Sequence, residues 1–124
     1  MENVWAISDT LALPGFHEGF CAVAYHDEGI YIAGGYDEFG GRKRLQYMSL
    51  IDGAITTLGE MGENRTCPAC ALYKDGLVVA GGWSGNTEII GDVRPIREVE
   101  YFDFVTGYAR TKWRYWIYHC SYNF

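Results

Sequence analysis

The residues of this 124-residue chain able to do chemistry are three histidines, four cysteines and a few groups of charge. His17, His26 and His119 lie far apart in sequence, so no convergent set of titratable groups is visible. Asp27-Glu28 and Asp37-Glu38 are adjacent carboxylates. In strands or turns such neighbours diverge, and they read as solvated charge. Cys67-Pro68-Ala69-Cys70 is formally a C-x-x-C pair. A redox pair belongs at the opening of a helix beside a βαβ unit, and none is visible here. A structural zinc needs a second pair, whereas Cys21 and Cys120 stand singly. Four cysteines in a chain this long make no disulfide scaffold, so buried structural thiols are expected. No G-x-S-x-G elbow or P-loop is present. The expectation is a non-catalytic chain with no metal and no cofactor.

The one basic cluster is Arg42-Lys43-Arg44, followed at a distance by Arg94 and Arg97. It reads as a solvated loop rather than a binding patch. A net charge of −6 and a pI near 4.9 argue against nucleic acid or an anionic membrane as partner. No apolar run reaches the roughly 18 residues of a membrane-crossing helix. Met1-Glu2-Asn3-Val4-Trp5 does not open a signal peptide, so a cytoplasmic or other intracellular location is expected. A 48% hydrophobic content with 21% charge suits one packed domain.

What must position these groups is an internal repeat. Gly29-Ile30-Tyr31-Ile32-Ala33-Gly34-Gly35 recurs 47 residues on as Gly76-Leu77-Val78-Val79-Ala80-Gly81-Gly82. Paired glycines ending an apolar strand let the backbone turn at positive φ and let another chain pack closely. Upstream, residues 21–26 fall on residues 68–73, which sets Cys70 against Val23 and His26 against Tyr73. Asp27-Glu28-Gly29 and Lys74-Asp75-Gly76 then coincide as tight turns. Downstream, residues 45–49 fall on residues 99–103 if the second copy carries seven extra residues, and Asp52-Gly53 matches Thr106-Gly107. Each unit reads as a four-stranded antiparallel meander. Strands are expected near 20–25, 30–34, 45–50 and 54–58, and again near 67–73, 77–81, 98–103 and 108–112.

This frame resembles the kelch repeat, one blade of a β-propeller. The first unit carries Ile30-Tyr31-Ile32-Ala33-Gly34-Gly35, then Tyr47, Leu58, Met61 and Arg65. It departs from the family pattern at Ser49, where Asp is usual, and at Ile55, where Trp is usual. The second carries Val78-Val79-Ala80-Gly81-Gly82 and Tyr101 with Asp103, departing at Ala109 and Tyr115. The resemblance implies an all-β, partial propeller with two four-stranded antiparallel blades and part of a preceding one. Residues 1–15, with Trp5 and the run Thr10-Leu11-Ala12-Leu13-Pro14, resemble the last strand of that earlier blade. Blade one spans 16–62, blade two 63–112, and 113–124 is an atypical aromatic tail. Propellers close with roughly four to eight blades, so a fragment of a longer propeller protein is expected, with self-association to complete a ring or a tail covering the open faces as the alternatives.

The long loops 36–44 and 83–97 differ between units, as loops that present a binding surface do. In kelch propellers the loop after the double glycine and the loop leading into the next blade share one face. By position this nominates Tyr36, Asp37, Arg65, Thr66, Trp83, Ser84 and Asn86 for binding other proteins. For each the alternative is ordinary loop solvation, with Arg65 serving as the inter-blade arginine. The resemblance thus implies a protein-interaction module. Its alternatives are a fragment of a propeller enzyme (an oxidase or a sugar-active one) and a truncated, non-functional product.

Overall fold

The structure is a computed structural model, and it describes residues 5–8, 11–13, 18–85, 93–107 and 109–113. The described residues are all-β with no helix. Strands β1 (Glu18–Tyr25), β2 (Gly29–Asp37), β3 (Gly40–Gly41), β4 (Arg44–Ser49) and β5 (Ile55–Glu60) form the first sheet. Its order is β1-β2-β4-β5, with the short β3 folded back on the end of β2. Strands β6 (Ala69–Tyr73), β7 (Gly76–Ala80), β10 (Val99–Asp103) and β11 (Ala109–Trp113) form the second, in the order β6-β7-β10-β11. Between β7 and β10, β8 (Trp83–Ser84) and β9 (Arg94–Pro95) pair with each other. Both sheets are antiparallel meanders whose second connection is interrupted, by the short β3 in the first and by the β8–β9 hairpin in the second.

The two units repeat in hydrogen bonds as well as in residues. Gly34 and Gly35 sit at φ 67° and 99°, and Gly81 and Gly82 at 68° and 87°. Gly35 O accepts the N–H of Arg42, and Gly82 O that of Ile96, which fixes the seven extra residues in the second loop. The N–H of Leu50 reaches Glu28 O as that of Phe104 reaches Asp75 O. The ladder shifts between Leu45 and Gln46 in one unit and between Val99 and Glu100 in the other, the same place in each. A side chain added at Gly29 would run into the Tyr47 ring, and one at Gly76 into the Tyr101 ring. Each tyrosine therefore lies over the bare backbone where its unit's hairpin closes. Ser49 departs from the expected Asp but does its work. Its Oγ accepts the N–H of Ile51 at 3.2 Å, as Asp103 Oδ1 accepts that of Val105 at 2.8 Å.

Three expectations need correction. The hairpin turns are unequal, because Tyr25 pairs with Gly29 across three residues and Tyr73 with Gly76 across two. Upstream of the turn the equivalence moves by one: Tyr25 matches Tyr73, Ala22 matches Cys70, and His26 matches Lys74. Both of the last pair have positive φ, 49° and 51°. Second, Cys21 and Cys70 are not thiols. They form a disulfide joining β1 to β6, with Cα atoms 5.9 Å apart, while Cys67 is free and exposed. Third, the long loops are not wholly irregular. Tyr36 and Asp37 pair with Gly41 and Gly40 just as Trp83 and Ser84 pair with Pro95 and Arg94.

The core lies between the sheets. On the inner face of the first, Cys21, Ala33 and Leu45 form one cross-strand row and Val23, Tyr31 and Tyr47 another. On the second, the facing rows are Cys70, Val79, Glu100 and Leu72, Leu77, Phe102. Ala33, Leu45, Met61, Leu77, Val79 and Phe102 make one buried cluster. Phe104 stacks on Tyr31 at 4.4 Å between ring centroids. In terms of the repeat, one face of the first unit covers the opposite face of the second. The second unit's own copy of the covering face carries Ala71, Val78, Ala80, Val99 and Tyr101. Ala71 and the neighbouring Tyr73 are exposed there and Val78, Ala80, Val99 and Tyr101 are half-buried, whereas Ala33, the counterpart of Ala80, is wholly buried. Residues 5–8 and 11–13 carry no strand, and Trp5 is fully exposed.

Candidate functional site

One edge of the paired sheets gathers the loop after β2, the segment 60–66 linking β5 to β6, and the β8–β9 hairpin. The linking segment lies across the first double glycine. Gly35 donates its N–H to Arg65 O at 2.8 Å, and Arg65 donates its own to Arg42 O at 3.0 Å. A Cβ on Gly34 would collide with Arg65 O. The double glycine is thus required twice, by its positive φ and by the chain resting on it.

Most of the nominated side chains have internal partners. Arg65 is buried; it donates from Nε to Glu100 Oε2 at 3.1 Å and from one terminal nitrogen to Gly81 O and Glu98 O at 2.9 Å each. Its role is the inter-sheet one, not a surface contact. Asp37 is also buried and sits between Arg42 and Arg44, 2.5 and 3.3 Å away, accepting the N–H of Phe39 at 2.8 Å as well. The hydrogen bond from Arg42 holds its carboxyl below the usual carboxylate range, and the Phe39 N–H and both guanidinium charges act in the same direction. Ser84 is buried and donates from Oγ to Asn64 Oδ1 at 2.9 Å. Thr66 and Trp83 exchange backbone hydrogen bonds of 2.8 Å, tying the linking segment to β8. Thr66 Oγ1 is buried without a hydrogen-bond partner among the described residues. Asn86 lies outside the described residues, as do His17, His119, Cys120 and residues 114–124 of the tail.

The residues expected to mark the repeat hold the positions described above. Gly34 and Gly35 carry the linking segment, Gly81 offers its carbonyl to Arg65, Tyr47 and Tyr101 cover the hairpin glycines, and Met61 is in the core. A Cβ on Gly82 would lie 2.8 Å from Thr66 O.

Two residues of the site have no counterpart among the nominations. Glu100 holds Arg65 and also accepts the N–H of Gly62. A carboxylate in the apolar alternation of Val99-Glu100-Tyr101-Phe102 was its signal. Asn64 accepts from both Ser84 Oγ and the Gly85 N–H, fixing the linking segment against the second loop.

Two cavities open on this edge, of about 470 and 250 Å³. The larger is walled by Arg42, Lys43, Arg44 and Arg94 with Glu60 and Glu63. The smaller is walled by Tyr36, Glu38 and Phe39, and both share Gly41 and Asn64. Chemically the edge offers charge-assisted hydrogen bonds and aromatic surface, which suit recognition. The chain matches no protein-family model and no curated protein.

Proposed function

We propose that the chain is a kelch-type pair of propeller blades, part of a larger array, that binds other proteins through its loop edge and performs no catalysis. The observation that carries this reading is the repeat itself. Two meanders with the same glycine conformations, the same ladder shift and the same turn bonds pack head to tail, one face on the opposite face of the next. Such a contact is heterologous, and it leaves a copy of the same face unused on the second sheet. Gly81 sits where Gly34 sits in the first unit. Yet a Cβ there would meet nothing within 4 Å among the described residues, while Gly34 carries the linking segment. A further unit of the same kind fits this opening. Conserved packing with loops of different length and charge is how repeat arrays separate scaffold from binding surface.

Sedimentation equilibrium on the full chain tests the array. Association that grows with concentration and disappears in Val78→Lys, without loss of thermal stability, is expected. A well-folded native monomer at high concentration, indifferent to Val78→Lys, overturns the reading.

A further inference from the structure

We propose that Cys67 is the exchange partner of the Cys21–Cys70 bridge, so that the chain carries a thiol–disulfide switch at the joint between its two sheets. The inference goes beyond the interaction reading above and stands without it. β1 and the chain entering β6 run side by side in the same direction. The N–H of Cys67 reaches Gly19 O, and further along the disulfide joins Cys21 to Cys70. The C-x-x-C pair is thus split, with Cys70 bonded across to β1 and Cys67 a free, exposed thiol.

Gly19 lets the free sulfur lie against the strand that carries the bridge. A Cβ at Gly19 would come within 3.2 Å of Cys67 Sγ, so the thiol rests on bare backbone. Gly19 stands two residues before Cys21 on β1, about 6.6 Å along an extended strand. On its other side the same segment lies against Gly82, where a Cβ would be 2.8 Å from Thr66 O and 3.1 Å from Pro68 N. Cys67 itself is held at φ 55°, a region that cysteine rarely occupies. The fold therefore fixes an unbonded thiol beside β1, between two glycines, a short way from a disulfide.

The exchange balances within the chain. The Cys67 thiolate attacks Cys21 Sγ, the Cys21–Cys67 bond forms, and the Cys21–Cys70 bond breaks with its electron pair leaving on Cys70. Cys70 then takes up the proton that Cys67 gave to water. One disulfide and one thiol stand on each side of the step, so no oxidant or reductant is consumed. Cys21 is the sulfur attacked because Cys67 precedes β6, and its movement breaks no rung of the β6–β7 ladder. Closing Cys67 onto Cys70 would instead bend the chain between them and undo the pairing of Ala69 with Ala80 and of Cys70 with Val79. The product ties β1 to the linking segment and unfastens β6. The free thiol passes from exposed Cys67 to half-buried Cys70.

The test uses the full chain carrying Cys120→Ser, so that Cys21, Cys67 and Cys70 are its only cysteines. Exchange starts from a thiolate, so alkaline pH promotes it and acid arrests it. After a hold in dilute solution at pH about 8.5 without added thiol, then an acid quench, the disulfide-linked peptides are mapped by mass spectrometry. A Cys21–Cys67 peptide is expected at about a tenth or more of the amount of the Cys21–Cys70 peptide. Cys70→Ser on the same background should close Cys21–Cys67 in a glutathione redox buffer about tenfold faster than it does in urea. Cys21→Ser should leave Cys67 and Cys70 reduced in that buffer. Cys21–Cys70 alone after the alkaline hold overturns the proposal, and so does Cys70→Ser closing no faster in buffer than in urea. A Cys67–Cys70 peptide in place of Cys21–Cys67 overturns the choice of Cys21 as the sulfur attacked.

Discussion

Arg65 and Glu100 form a buried ion pair through which the segment between the sheets is fastened to the second one, with a terminal guanidinium nitrogen 3.0 Å from Oε2. The backbone of the same arginine hydrogen-bonds the first unit, at Gly35 and Arg42. One residue thus joins both units, its main chain to one and its side chain to the other. Every donor on that guanidinium that faces Gly81, Glu98 or Glu100 is met. Buried charge is tolerated on that condition.

Removing either partner alone should be costly. Arg65→Met or Glu100→Gln is expected to lower unfolding stability by about 3–5 kcal/mol in urea titrations, since each strands a buried charge or its donors. The double variant should cost far less than the sum. A double-mutant cycle measures the difference, and additive losses would deny the pairing.

Gly34 and Gly81 make a matched comparison. Both sit at φ near 67°, so alanine strains the backbone equally, by about 1–2 kcal/mol. Only at Gly34 does the new Cβ run into Arg65 O. Gly34→Ala should therefore destabilise substantially more than Gly81→Ala, as read by thermal unfolding of both variants.

Asp37 gives the first loop an acid-sensitive anchor. Its carboxyl titrates below the ordinary carboxylate value of about 3.9. A depressed folded-state value means that the stabilisation is present above the unfolded value and is lost as pH falls through the folded one. Asp37→Asn is expected to cost about 1.5–3 kcal/mol at pH 7. The gap between native and variant should then close as the pH drops below about 4, in denaturant melts run at several pH values.

The Cys21–Cys70 bridge clamps the first strands of the two sheets. Before reduction, alkylation should label Cys67 and spare both bridged residues, as peptide mapping will show. Cys21→Ser should cost about 2–4 kcal/mol. Such bridges persist in oxidising compartments, so the pair also bears on where the chain resides.

The strands were legible because each unit closes on a positive-φ double glycine, a signal that survives changes in every other side chain. The eight main strands lie within one to three residues of their expected bounds. The disulfide was hidden by a single residue. Anchoring the alignment on Gly35 and Gly82 without a gap put Cys70 against Val23, although the Tyr25 and Tyr73 pair marks the shorter second turn. Once that residue is allowed for, Cys21 and Cys70 stand on neighbouring first strands, facing each other. The site was harder to read. Asp37, Arg42 and Arg44 look like solvated loop charge in sequence, and only the fold-back of β3 onto β2 gathers the two half-exposed arginines around a buried Asp37. Arg94 joins them because β8 and β9 pair, which no periodicity announces.

The central claim is that two equivalent sheets lie face to face rather than side by side in one ladder. Nuclear Overhauser contacts between the rings of Tyr31, on β2, and Phe104, just past the end of β10, measure this most directly. Strong cross-peaks between these rings, with no ladder contacts between β5 and β6, are expected. Contacts running continuously from β5 to β6, with none between Tyr31 and Phe104, would contradict it.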